Sequence, residues 1–126
     1  MRAVDTNVLV RLITGDNEDQ VAAAEAFVRN GAWVSHLVLA EVTWVLRTGY
    51  NQGHHAVASA IEMLLNQEQL TIQDADVAAA ALLQYRKKPS LGFSDCLVLE
   101  IARKAGHLPL CTFDNALSKL PGAERL

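Results

Sequence analysis

The chain has 126 residues, of which 51% are apolar, and its 14 acidic and 11 basic residues leave a net charge of −3. This length and apolar content exclude a disordered chain and predict one compact domain, residues 1–126, with a core that needs no disulfide or structural metal. The mild acidity excludes a histone-like or coat-like nucleic-acid binder but not an enzyme that acts on nucleic acid, because total charge does not say where the acids lie.

Apolar periodicity predicts alternating short strands and amphipathic helices. Ala3-Val4 reads as a short strand ending at Asp5. Thr6 and Asn7 are candidate caps for a helix carrying Val8, Leu9, Leu12 and Ile13, which Gly15-Asp16-Asn17 stops. A second helix is predicted from about Glu18 to Asn30, with Val21, Ala24, Phe27 and Val28 on one face and Gly31 as terminator. Ala32 to Ser35 is a strand candidate, followed by a helix from about Leu37 to Thr48 and another, after Gly53, to about Leu65. Leu70-Thr71-Ile72 reads as a strand. Asp74 is placed to cap a helix with Val77, Ala81, Leu82 and Tyr85 on its apolar face. After a loop marked by Pro89 and Gly92, Ser94 is placed to cap a helix that runs through Lys104 to Gly106. Leu108 to Thr112 is the last clear strand, and the tail from Asn115 reads as a helical turn and an edge strand. The alternation predicts a parallel α/β sheet covered by helices on both faces.

No apolar run is long enough to span a bilayer, and the N-terminus lacks a signal-peptide pattern. Cys96 and Cys111 form no CxxC pair, and the four histidines show no zinc-ligand spacing with them. Reduced thiols and a cytoplasmic location are the expectation.

In open α/β sheets, ligands bind beyond the carboxyl ends of the strands. Asp5 ends the first predicted strand, Asp114 follows the last clear one, and Asp95 lies at a helix start. Each has an ordinary structural explanation as a cap, a turn residue or a complement to a helix dipole. Glu41 lies within a helix with Leu37, Val38 and Val45 as its i−4, i−3 and i+4 neighbours, which predicts a carboxylate on an apolar stripe, snorkelling, paired with Arg47 or bound to a cation. Two unit charges about 4 Å apart repel by roughly 4 kcal/mol at an effective dielectric near 20. If the four acids converge, divalent cations relieve that repulsion. Oxygen-only ligands suit Mg2+ or Mn2+, and the matching chemistry is in-line displacement at phosphorus by an activated water.

The motifs Val4-Asp5-Thr6-Asn7, Glu41, Phe93-Ser94-Asp95 and Thr112-Phe113-Asp114, in this order, resemble those of the PIN-domain ribonucleases, and in particular the VapC-type toxins of bacterial toxin–antitoxin pairs. The resemblance covers nearly the whole chain. It implies a PIN-like parallel sheet of four to five short strands flanked by helices on both faces. It also implies Mg2+- or Mn2+-dependent endoribonuclease activity, a homodimer, and inhibition by a small VapB-like antitoxin inserted near the active site. Carried over residue by residue, Asp5, Glu41, Asp95 and Asp114 are expected as catalytic metal ligands, with Thr6, Asn7, Ser94 and Thr112 supporting them. The sequence departs from the family pattern at Cys96, where many members have Ala, and at Asn115-Ala116, where some carry a further acid. The second departure implies a weaker second metal position.

Other features have competing explanations. Arg86-Lys87-Lys88 is equally a guide for RNA phosphates or a solvated helix end, and Arg11 and Arg47 are equally substrate contacts or surface residues. Trp33 and Trp44 read as core or dimer-interface residues rather than base platforms. His54-His55 reads as surface, and both cysteines as small core residues. A receiver-like phosphoacceptor domain is a poorer fit, since the first strand offers a single acid and Thr112-Phe113-Asp114 holds no Lys. A catalytically silent binding module is disfavoured by the intact acidic set, and no P-loop motif occurs. With four acids assigned to a cation site, ten acids face eleven bases elsewhere, so the net acidity need not repel RNA.

Overall fold

The computed structural model describes residues 1–126. In chain order the elements are α1 (Thr6–Thr14), α2 (Glu18–Val28), β1 (Ala32–Val34), α3 (His36–Gly49), α4 (His54–Asn66), β2 (Leu70–Ile72), α5 (Ala75–Lys87), α6 (Phe93–Ala105), β3 (Leu110–Thr112), α7 (Asn115–Ser118) and β4 (Ala123–Arg125). This is the α/β alternation that the periodicity predicts. No helix is long and apolar enough to cross a membrane.

The sheet is more fragmented than the four to five strands expected. β1 pairs in parallel with β2 (Trp33 opposite Thr71), and β3 pairs in parallel with β4 (Cys111 opposite Glu124), as two separate two-stranded pieces. The expected Ala3-Val4 strand is reduced to one parallel bridge from Ala3 to Trp33, closed by Val4 N–H to Trp33 O (3.1 Å) and Trp33 N–H to Arg2 O (2.9 Å). The physical reason is local: Asp5 takes the cap position of α1, so the chain turns helical before a ladder can extend. The remaining strands have only three residues each before the next turn or helix.

Two helix starts differ from expectation by one or two residues. Asp5 itself caps α1, its carboxylate accepting from Val8 N–H at 3.4 Å, while Thr6 and Asn7 lie inside the first turn. Gly92 rather than Ser94 is the cap residue of α6, and it has no side chain to close the helix end. Asp74 occupies the cap of α5 in a left-handed conformation (φ 41°) and directs its carboxylate to Lys104 (3.2 Å) instead of to the helix. Gly15 ends α1 at φ 65°, where a side chain would be strained.

One cluster of 27 buried apolar residues runs through all the helices except α2, and through β1 and β2. Leu9 and Val10 of α1, Leu39, Val42 and Leu46 of α3, and Ala78, Ala81 and Tyr85 of α5 are among its most enclosed members. α3 packs between α1 and α6, and α5 lies along α6. That arrangement sets the N-terminal ends of α1 and α6 against the middle helix.

Candidate active site

Parallel pairing sets the first acid. Ala3 lies opposite Trp33, so two residues on Asp5 is level with Ser35, the cap of α3, whose hydroxyl accepts from Val38 N–H at 3.1 Å. Glu41 follows one and a half turns into α3. Thr6 Oγ1 donates to Glu41 Oε2 at 2.9 Å, a bond between residues 35 apart in sequence that ties the Asp5 turn to α3. Thr6 is buried, so this hydroxyl is held in a fixed place.

Glu41 is exposed, which corrects the expectation of a carboxylate on the buried stripe. The buried face of α3 is Leu39, Val42, Thr43 and Leu46, and Leu37, an i−4 neighbour of Glu41, is 70% exposed. This helix is apolar nearly all round, so apolar neighbours did not mark its inward side. Arg47 does not pair with Glu41. It makes no side-chain hydrogen bond, whereas the other arginine considered, Arg11, binds Gln20, Asp16 and Tyr50 and belongs to the scaffold.

Asp95 lies in the first turn of α6, half-buried, with its carboxylate folded back over Gly92: a β-carbon built on that glycine would stand 3.7 Å from Asp95 Oδ2 and 3.8 Å from Ser94 Oγ. The N-terminal turn of a helix favours this anion. Next to it, burial pushes the Cys96 thiol up to about 12, with the Asp95 and Glu100 carboxylates adding to the effect. Cys96 is therefore a neutral packing group. Cys111 is exposed, against the expectation of a core residue.

Asp114 caps α7, accepting from Leu117 N–H at 3.0 Å, and its own N–H donates to Thr112 Oγ1 at 2.9 Å. Leu117 anchors this turn in the core. Thr112 thus touches Asp114, whereas Thr6, expected beside Asp5, bonds to Glu41 instead. Asn7 and Ser94 are exposed and form no side-chain bond to an acid.

Asp5, Glu41 and Asp95 are carried by helices that pack side by side, α1, α3 and α6; Asp114 is carried by the separate β3–β4 piece. The side chains are not drawn together: nowhere do three His, Cys, Asp or Glu residues form a group able to hold a metal ion. In kind, the donor set fits a hard divalent cation. All four are carboxylates, and the oxygens not used by Val8 N–H, Thr6 and Leu117 N–H remain free to bind one.

Residues 2–123 match the PIN domain family, a span that takes in all four acidic positions. The chain belongs to the PIN domain family. PIN domains are generally metal-dependent nucleases, and at that level the chain is a nuclease-type hydrolase. Neither the curated proteins nor the solved structures give a significant match.

Three further residues bear on the sequence expectation. Trp44 and Trp33, read as core or dimer-interface residues, are not core: Trp44 is 66% exposed one turn beyond Glu41, and Trp33 is 37% exposed. His54, read as surface, is half-buried against Tyr85 (ring centroids 4.1 Å apart) with both ring nitrogens enclosed and unpartnered. An exposed tryptophan within an apolar helix leaves no mark in periodicity, which is why sequence reasoning missed it.

Proposed function

We propose that this PIN domain, residues 1–126 acting as one unit, is an Mg2+- or Mn2+-dependent endoribonuclease and the VapC-type toxin of a toxin–antitoxin pair. The observation that carries the reading is the Thr6–Glu41 bond, which ties the first acidic motif to the second although 35 residues separate them. Asp5, Glu41, Asp95 and Asp114 are the metal ligands. Divalent ions, when bound, supply an activated water for in-line attack on the phosphodiester and charge compensation for the leaving oxygen.

The chain's own residues orient and support. Asp5 and Asp114 each place one oxygen on a helix N–H, which limits their rotation. Thr6 fixes Glu41 by donating its proton, and Thr112 holds the backbone of Asp114. Outer partners of this kind orient ligands and raise their affinity for a cation. No side-chain nucleophile is required, consistent with Cys96 remaining a thiol.

The antitoxin reading has a candidate seat: a largely apolar groove of about 360 Å3 between α1 and α2, lined by Val8, Ala23, Ala24 and Phe27 and opening beside Asn7. The exposed Leu37 on α3 is compatible with a homodimer. As a toxin directed at the cell's own RNA, it acts in the cytoplasm.

The test is incubation of the protein with a panel of structured RNAs. Cleavage that is lost with a chelator and restored by Mg2+ or Mn2+ supports the reading. Absence of cleavage with either ion overturns it.

A further inference from the structure

Between the C-terminal half of α3 and the start of α6 lies a cavity of about 340 Å3, lined chiefly by Thr43, Trp44, Arg47, Thr48, Phe93 and Ser94. Its polar groups are unequally occupied. Thr43 and Thr48 donate their hydroxyls to the carbonyls of Ala40 and Trp44 (2.6 and 2.8 Å). Arg47 and Ser94 are exposed and hold no side-chain partner, whereas Arg86 and Arg103, in the last turns of α5 and α6, are each paired with a glutamate. The floor is Phe93, which is buried, and one wall is the exposed indole of Trp44.

We propose that this cavity is a nucleotide subsite of the nuclease, binding the RNA residue next to the scissile phosphate; the inference rests on the ribonuclease reading above. Position argues for it: Gly92 and Ser94 line the cavity and the Asp95 carboxylate folds back over Gly92, while Trp44 lies one turn along α3 from Glu41. Chemistry argues for it as well. An exposed indole is a stacking surface for any base, and a free guanidinium supplies the cation that a phosphate needs beside an acidic centre. Ser94 is placed to meet a phosphate or ribose oxygen at the uncapped start of α6. The polar lining favours a nucleotide over an apolar peptide. The volume lies at the lower end of the range for small-ligand pockets, about 300–1,000 Å3.

The experiment has a binding arm and a cleavage arm. In the binding arm, an Asp5→Asn, Trp33→Phe protein, in which Trp44 is the sole indole, is titrated with short single-stranded oligoribonucleotides in magnesium. The expected result is quenching of Trp44 fluorescence; with a fluorophore-labelled oligoribonucleotide followed by anisotropy, affinity falls about tenfold on Trp44→Ala and is largely restored by Trp44→Phe. Arg47→Gln weakens binding and lowers the slope of log affinity against log salt by about 0.7, the share of one single-strand phosphate contact. In the cleavage arm, Trp44→Ala in the otherwise unaltered protein raises KM with little change in kcat. If the wild type cleaves RNA while Trp44→Ala binds and cleaves equally well, the subsite is wrong and the nuclease reading stands. If the wild type cleaves no RNA, both fall. If Trp44→Ala loses RNA only because sedimentation shows a dimer becoming a monomer, the surface belongs to a second copy and the subsite is overturned.

Discussion

Two polar regions border α3 and treat their charges in opposite ways. At the end of α1, Arg11 reaches Gln20, Asp16 and Tyr50, while Asp16 also accepts from Thr14 (3.0 Å) and Tyr50 (2.5 Å). Nearly every donor there has an acceptor, and the knot joins α1, α2 and the end of α3. At the other edge, around the N-terminal ends of α1 and α6, Glu41 has one bond, from Thr6, and Asp95, Arg47 and Ser94 have none to another side chain. A saturated network fixes a fold; a set of charges held by the scaffold but left unpaired is available to a ligand. The difference separates acids engaged by the scaffold from acids left available to a ligand, and sequence position alone does not make that separation.

The comparison can be broken first from beneath. Leu46 is fully buried on the inward face of α3, the helix that both regions share. Leu46→Ala is expected to cost about 2–5 kcal/mol of stability, read from denaturant unfolding, and to disable both regions together through loss of folded protein. Retained stability would mean that α3 is not the common support. The next effect sharpens the open edge. Thr6→Val removes the hydroxyl on Glu41 and is expected to lower cleavage or metal affinity about 10–100-fold, with only a small change in unfolding midpoint. An unchanged rate would leave Glu41 correctly held without Thr6.

The smallest effect sharpens the closed knot. The Tyr50 hydroxyl, ahead of Thr14 and Arg11, holds the Asp16 carboxyl below its ordinary 3.8. A carboxyl lowered in the folded state stabilises it fully above the unfolded value and loses that contribution as pH falls through the folded one. The stability difference between the wild type and Asp16→Asn is therefore expected to be constant from neutral pH to about pH 5 and to shrink below 3.8. A difference that does not change with pH would show that the Asp16 charge takes no part in the knot.

Much of the fold was legible because apolar spacing carries it. The buried face of α5, Val77, Ala81, Leu82 and Tyr85, is the face that the periodicity predicts. The tail does form a helical turn and an edge strand. The sheet was less legible, since pairing depends on contacts between distant segments and three-residue strands hold little pattern. In the site, the acids were visible as strand-end and helix-start residues. Their surroundings were not: that Glu41 faces outward, that Gly92 rather than Ser94 starts α6, and that Trp44 is bare depend on how α3 packs between α1 and α6. A helix apolar on all sides conceals which of its faces is turned inward.

The most direct measurement pairs the two regions. Asp5→Asn and Asp16→Asn each replace one helix-end carboxylate by its amide, one at the open edge and one in the knot. Cleavage of a structured RNA in Mg2+ or Mn2+ and the unfolding midpoint are measured for both. The account predicts that Asp5→Asn loses cleavage by more than the roughly 100-fold seen for outer partners of a metal site while keeping its midpoint, and that Asp16→Asn keeps cleavage while losing stability. Equal cleavage by the wild type and Asp5→Asn would contradict it.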